Sequence, residues 1–262
     1  MQTTDSLREN KPPAGEEALV VRDLVKIYKG ASGPALAGLN IAVHTGEIFG
    51  LLGPNGAGKT TAISILSTLL RPTRGNVRIC GIDALKHPGR VKGLIGLVPQ
   101  NIALYAGLTA RENLRYFGKI CGLKGEALND RVQACLELAG LENKADQRVS
   151  AYSGGMKRRA NLAVGIINNP RLLFLDEPTV GIDAQSRNMI LEKLSQLKNN
   201  GTTLIYTTHY MDEAERLCER IAVMDEGRII AEGSPKALIN RPPGHAGLGD
   251  LFLALTGKNL RD

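Results

Sequence analysis

Apolar residues follow three patterns along this chain. Between Ala18 and Val43 they alternate with polar ones, with Leu19, Val21 and Leu24 followed by Leu39, Ile41 and Val43 on one side. That period of two predicts antiparallel strands with one wet face. Four later runs, at residues 48–52, 95–99, 172–175 and 203–208, are apolar almost throughout. Such runs predict strands buried on both faces, as in a parallel sheet.

Helical spacing separates these runs. Ala62, Ile65, Leu66, Leu69 and Leu70 predict a helix that continues until Pro72, and Leu162, Ala163, Ile166 and Ile167 predict another that stops at Pro170. Ile190, Leu191, Leu194 and Leu197 predict a third, and a fourth begins near Asp212. Val77 and Ile79 mark a short strand, and residues 221–224 and 228–231 form a hairpin around Asp225-Glu226-Gly227. From Leu108 to Val149 the pattern is helical, opened by a capping box of Thr109 and Glu112. Residues 240–244 read as a linker and residues 248–255 as a short apolar helix.

Composition narrows the class. The 262 residues suffice for one large α/β domain, and the net charge of +7 comes from 33 basic and 26 acidic residues. No apolar run approaches the ~18 to 20 residues that cross a bilayer. The polar start, with Pro12-Pro13, reads as a loose tail and not as a signal peptide, so a cytosolic chain is expected. The four cysteines lack C-x-x-C spacing, which argues against a zinc site or a disulfide framework. Basic residues form neither a long run nor a recognisable reading module, so no direct nucleic acid contact is expected.

The chemistry begins where the first buried run breaks into Gly53-Pro54-Asn55-Gly56-Ala57-Gly58-Lys59-Thr60-Thr61. A glycine-rich turn between a strand and a helix is a phosphate-binding loop in the making. Gly53, Gly56 and Gly58 are expected to adopt positive φ, turning successive N–H groups toward a phosphate at the helix start. Lys59 would reach the β- and γ-phosphates, Thr60 would ligate Mg²⁺, and Thr61 would donate to the α-phosphate.

A second cluster supports the first. The run Leu172-Leu173-Phe174-Leu175 delivers Asp176-Glu177 at its carboxyl end. Two adjacent acids there repel and lose hydration unless a phosphate-bound metal offsets both costs. Asp176 would hold the metal, and Glu177 would orient or deprotonate an attacking water. Ser153-Gly154-Gly155 opens another helix, with free N–H groups for an anion or simply an ordinary serine cap. Gln100, at a strand end, reads either as a metal ligand or as a hydrogen-bonded loop residue. His209, at another strand end, reads either as a γ-phosphate contact or as a structural histidine. Tyr28 suits base stacking and a half-buried strand end equally.

Taken together, these motifs resemble an ATP-binding-cassette (ABC) ATPase over residues 18–235. Residues 53–61 are similar to its Walker A loop, Gln100 to its Q-loop, and residues 153–156 to its signature helix start. Residues 172–177 resemble Walker B with its catalytic glutamate, Asp183 the end of the D-loop and His209 the switch histidine. Tyr28 falls at the family's base-stacking position.

The resemblance implies an α/β fold: a P-loop NTPase core with a mixed, largely parallel sheet, an N-terminal antiparallel β subdomain and an inserted α-helical subdomain at about residues 101–168. Residues 1–17 would be a flexible tail, and residues 236–262 a linker with a short helix. It further implies ATP and Mg²⁺ as ligands, with Thr60, Gln100 and Asp176 at the metal and Glu177, His209 and Lys59 in catalysis. Two copies are expected to pair on binding ATP, each nucleotide lying between one copy's Lys59 loop and the other's Ser153-Gly154-Gly155. The sequence Tyr152-Ser153-Gly154-Gly155-Met156 departs from the usual L-S-G-G-Q at its flanks. Together with residues 207–214 and 251–257, it resembles the branch of drug-resistance and nodulation-type polysaccharide exporters. That branch implies a separate ABC-2-type membrane permease, with this chain peripheral at the cytoplasmic face. The alternative is a soluble ABC ATPase acting on ribosomes or nucleic acid.

Overall fold

The computed structural model of the chain describes residues 16–242 and 244–257. Most of the expected tail, Pro243 of the expected linker and residues 258–262 lie outside the described residues. In chain order the elements are β1 (Glu17–Lys26), β2 (Leu36–His44), β3 (Ile48–Leu52), α1 (Lys59–Leu66), β4 (Arg74–Ile79), β5 (Ile82–Asp83), α2 (Pro88–Lys92) and β6 (Ile95–Val98). There follow α3 (Ala110–Ile120), α4 (Gly125–Ala139), α5 (Gly154–Gly165), β7 (Leu172–Asp176), α6 (Ala184–Asn199), β8 (Thr203–Thr208) and α7 (Met211–Leu217). The described part ends with β9 (Arg220–Asp225), β10 (Arg228–Gly233), α8 (Pro235–Ile239) and α9 (Leu248–Thr256).

The alternating segment forms the expected antiparallel sheet, in the order β2-β1-β4-β5. The apolar runs form a second sheet in the order β10-β9-β3-β8-β7-β6. Within it β9, β3, β8, β7 and β6 are parallel, and β10 closes the edge as an antiparallel hairpin strand. The strand pleat divides the core in two. Phe49, Leu51, Leu172, Phe174, Ile205, Ala222 and Met224 face α1 and the antiparallel sheet. Ile48, Leu52, Leu173, Leu175, Leu204, Tyr206, Ile221 and Val223 face the helical side.

Between β6 and β7 the chain leaves the sheet to build the helical insertion. Thr109 caps α3 through Glu112 N, and the Glu112 carboxylate returns to Thr109 N at 2.8 Å, which completes the expected box. Past β10, α8 starts on a Ser234 cap and Pro235, and Leu248, Leu251 and Phe252 of α9 join the helical-side core.

Two local expectations are corrected. Helix α1 stops at Leu66, well before Pro72, because Thr68 takes φ 64° and Leu69 N–H and Thr68 N–H bond back to Ser64 O and Ile65 O. This is a Schellman closure made on threonine in place of glycine, and it leaves Leu69 69% exposed. In the phosphate loop, Gly56 and Gly58 do have positive φ, at 82° and 104°, but Gly53 does not. Gly53 is required for another reason: a Cβ there would collide with Met224 O.

Candidate functional site

Four parallel strands end side by side, and each delivers a polar group. The loop of residues 53–61 follows β3, Asp176 ends β7 with Glu177 next, His209 follows β8, and Gln100 lies just beyond β6. Because β8 lies between β3 and β7, the sheet order itself assembles residues far apart in sequence. The carboxyl edge of an open parallel sheet is where such folds place ligands.

Lys59 opens α1, whose cap is Gly58. A Cβ on Gly58 would come within 2.5 Å of Ala35 O, so both its conformation and its neighbours demand glycine. Lys59 is only 6% exposed, and its amine is held inside the loop. It donates to Gly53 O at 2.7 Å and Pro54 O at 3.1 Å, and lies 3.6 Å from Glu177 Oε1. Burial lowers its pKa, while Glu177 and Asp176 pull it back up. Tyr28, 43% exposed, places its hydroxyl 3.2 Å from Thr61 Oγ1 at the mouth of the loop.

Asp176 is 4% exposed. Burial raises its pKa, and hydrogen bonds from Thr207 (2.8 Å) and Thr60 act against the rise. Glu177 sits in the left-handed region at φ 47°, a conformation that costs a non-glycine residue and tends to mark function. Its N–H is held by Thr207 O at 3.2 Å and Thr207 Oγ1 at 3.0 Å. Its carboxylate is the hub of the site. Gln100 Nε2 donates to Oε2 at 3.2 Å, and His209 Nδ1 stands 3.3 Å from the same oxygen, off the line of a hydrogen bond. That spacing becomes an ion pair when the imidazole is protonated.

Ser153, Gly154 and Gly155 occupy a different place. Ser153 caps α5 through Met156 N at 3.2 Å, and Gly155 lies so close to Ser186 at the start of α6 that any side chain would clash. Ser153 and Gly154 are exposed. Asp183 caps α6 through Ser186 N at 2.9 Å. The tyrosine that replaces leucine before the serine is buried, and its hydroxyl donates to Lys144 O at 2.6 Å. Tyr152 thus anchors the start of α5 to the helical insertion.

Sequence reasoning passed over two site residues. Thr207 holds both Asp176 and the Glu177 backbone, and no motif singles out a threonine inside an apolar strand. Arg158 donates to Val180 O at 2.9 Å and also to Gln100 O, joining the loop after β7 to the loop after β6. Its signal was only the basic triplet Lys157-Arg158-Arg159. A cavity of about 100 Å³, lined by Arg131, Cys135, Pro170, Arg171, Leu197 and Thr202 among others, lies at the opposite ends of β7 and β8. It is therefore separate from these loops.

A family model described as ABC transporter matches residues 36–180, more than half of the chain. The linearmycin resistance ATP-binding protein of Bacillus subtilis (strain 168) is 46% identical over 225 residues, covering 86% of this chain and 71% of that protein. The Nod factor export ATP-binding protein I of Burkholderia lata is 48% identical over 202 residues, covering 77% of this chain and 66% of that one. Among solved structures, a dimeric ATP-binding cassette in a post-hydrolysis state with ADP and phosphate superposes with a TM-score of 0.75 at 29% identity. That alignment covers 82% of this chain and 98% of the other.

Proposed function

Because the chain belongs to the ABC transporter family of ATP-binding proteins, we propose that it is the ATP-hydrolysing subunit of an exporter and powers a separate membrane permease. The observation that carries the enzymatic half is the Glu177 carboxylate, within 3.6 Å of Lys59, 3.2 Å of Gln100 and 3.3 Å of His209 at the carboxyl edge of the sheet.

Each group has a task in hydrolysis. Tyr28 stacks on the base. The N–H groups of residues 53–61 cradle the phosphates, and Lys59 turns from the Gly53 and Pro54 carbonyls to the β- and γ-oxygens. Glu177 accepts a proton from the water whose oxygen attacks the γ-phosphorus, the bond to the β-phosphate bridging oxygen breaks, and ADP leaves. His209 contacts the γ-phosphate and, beside Glu177, fixes the water's position. The donor set suits Mg²⁺, since a carboxylate, a hydroxyl and an amide oxygen from Asp176, Thr60 and Gln100 are hard ligands and the phosphates complete the shell. The Thr60 side chain already bonds Asp176, so these two ligands are together in the folded chain. Bound there, the ion would neutralise charge developing on the phosphates.

Ser153 and Gly154 belong to the other half of the arrangement. Exposed at a helix start, they would close over the γ-phosphate held by a second copy, so that ATP joins two chains and hydrolysis separates them. Among the described residues no helix is long and apolar enough to cross a membrane. On the likeness to ATP-binding proteins named for resistance and export, the transport path is assigned to an ABC-2-type permease, with this chain bound at its cytoplasmic face. The export direction and a drug-, lipid- or polysaccharide-type cargo are proposed on the likeness to proteins named for linearmycin resistance and Nod factor export.

The enzymatic reading is tested by Glu177→Gln, which should retain ATP while hydrolysis falls about 10²- to 10⁴-fold; near-normal turnover rejects it. The transport reading is tested by isolating the chain with its native partners. A polytopic membrane protein should come with it, and ribosomes or DNA in its place would overturn the assignment.

A further inference from the structure

Behind the strand ends lies a third buried carboxylate, one that hydrolysis does not use directly. Glu213, on α7, is 3% exposed. Its Oε2 accepts three hydroxyl groups: Tyr206 at 2.5 Å, Thr179 at 2.9 Å and Thr208 at 3.1 Å. All three donors are essentially sealed from solvent. On the other oxygen, Oε1, Arg187 Nε of α6 stands at 3.3 Å. A buried charge with this many dedicated donors is costly to assemble, and a similar packing volume could have been filled by an apolar side chain.

The donors come from the two loops that carry the reacting groups. Thr179 lies two residues beyond Glu177, and Thr208 directly precedes His209. Because Thr208 donates its hydroxyl proton to Glu213, its oxygen is left to accept Tyr210 N–H at 3.0 Å. That bond spans His209 and fixes the turn that presents the imidazole. On the outer side, Arg187 stacks at 4.7 Å over the Tyr210 ring, and that ring lies 4.2 Å from the His209 ring, centroid to centroid. One carboxylate therefore ties the backbone after Glu177 to the backbone before His209, on opposite sides of the 3.3 Å contact between their side chains.

We propose that Glu213 is a positioning residue that sets the separation of Glu177 and His209 through Thr179 and Thr208. The proposal rests on the reading that Glu177 and His209 act on the same ATP. Displacing reacting groups by a fraction of an ångström to an ångström is expected to slow chemistry by ~10- to 100-fold. Nucleotide binding, which depends on residues 53–61 and Tyr28, should be untouched.

The test measures kcat, ATP affinity and melting temperature for Glu213→Gln, Thr179→Val, Thr179→Ser and the double variant of Glu213→Gln with Thr179→Val. The expected result is kcat down about 10- to 100-fold in the first two, with affinity within about twofold, recovery of most activity in Thr179→Ser, and a double variant no slower than the worse single. Wild-type kcat in folded Glu213→Gln overturns the proposal, as do losses that multiply in the double variant or that follow affinity. If Glu213→Gln does not fold, the Thr179 pair decides alone: rescue by serine but not by valine supports the link, and equal activity of the two refutes it. Glu177→Gln, run alongside, separates the two levels. Turnover surviving there removes the reading of the site, whereas slow turnover there with unaffected Glu213 and Thr179 variants removes only the positioning role.

Discussion

The edge where β3, β6, β7 and β8 end and the start of α5 both offer groups to phosphate, but they differ in where those groups are already committed. At the strand ends most of the polar side chains are held within the chain: Lys59 on the Gly53 and Pro54 carbonyls, Gln100 on Glu177, Asp176 on Thr207. At the start of α5, Ser153 serves its own helix and Gly154 stands exposed. The first region is a set of polar groups already locked together at one edge of the sheet. The second leaves Ser153 and Gly154 open to solvent at a helix start. On the function proposed above, the contrast accounts for a chain that binds nucleotide alone and needs a second copy to act on it efficiently.

The sharpest way to break this contrast is at Lys59. Lys59→Ala should weaken ATP binding by a single copy by ~10- to 100-fold, the worth of one charge-assisted hydrogen bond, read by titration with a fluorescent nucleotide. Ser153→Ala should leave that titration nearly unchanged, cost about 1 kcal/mol of helix capping, and slow hydrolysis by about tenfold at saturating ATP. Equal loss of single-copy affinity in both variants would erase the distinction. Thr207→Val probes the inner side of the first region: it strips the bonds to Asp176 and the Glu177 N–H and should cost about 1 to 3 kcal/mol in denaturant unfolding. Thr109→Ala, in the capping box of α3 away from both regions, should cost about 1 kcal/mol and spare the hydrolysis rate.

The smallest effect is one of pH. With nucleotide and metal removed, burial raises the Asp176 pKa, so the folded chain holds that proton more tightly than the unfolded chain. Stability then falls as pH rises from the ordinary carboxylate value through the raised one. The melting temperature of the wild type minus that of Asp176→Asn should therefore decline across that window, by ~1 to 3 °C. A difference that grows with pH contradicts the assignment of burial as the main cause.

How far each region was legible in the sequence follows the same division. Residues 53–61 were readable because a local turn needs glycines at fixed offsets, and Asp176-Glu177 because two acids after four apolar residues have few explanations. The sheet order that brings Gln100 and His209 onto Glu177 came through resemblance, since strand adjacency leaves no local trace. Thr207, Arg158 and Glu213 escaped because their partners lie on other elements: Thr207 is an ordinary β-branched strand residue until Asp176 is placed beside it. The reason assigned to Gly53 was wrong in kind, because the need for glycine there comes from Met224 O, far along the chain. Helix α1 was read too long because its stop signal is a threonine in a glycine's conformation. Tertiary contact decided at Gly53 and Thr207, whereas a local closure decided the end of α1.

The claim that the strand-end site is one half of a composite site is tested most directly by sedimentation velocity on Glu177→Gln, which keeps ATP uncleaved. The account expects a single-copy species without nucleotide and a two-copy species with ATP and Mg²⁺, reverting when Ser153→Ala is added. A chain that remains a single copy at saturating ATP, or pairs equally well without it, would contradict the account.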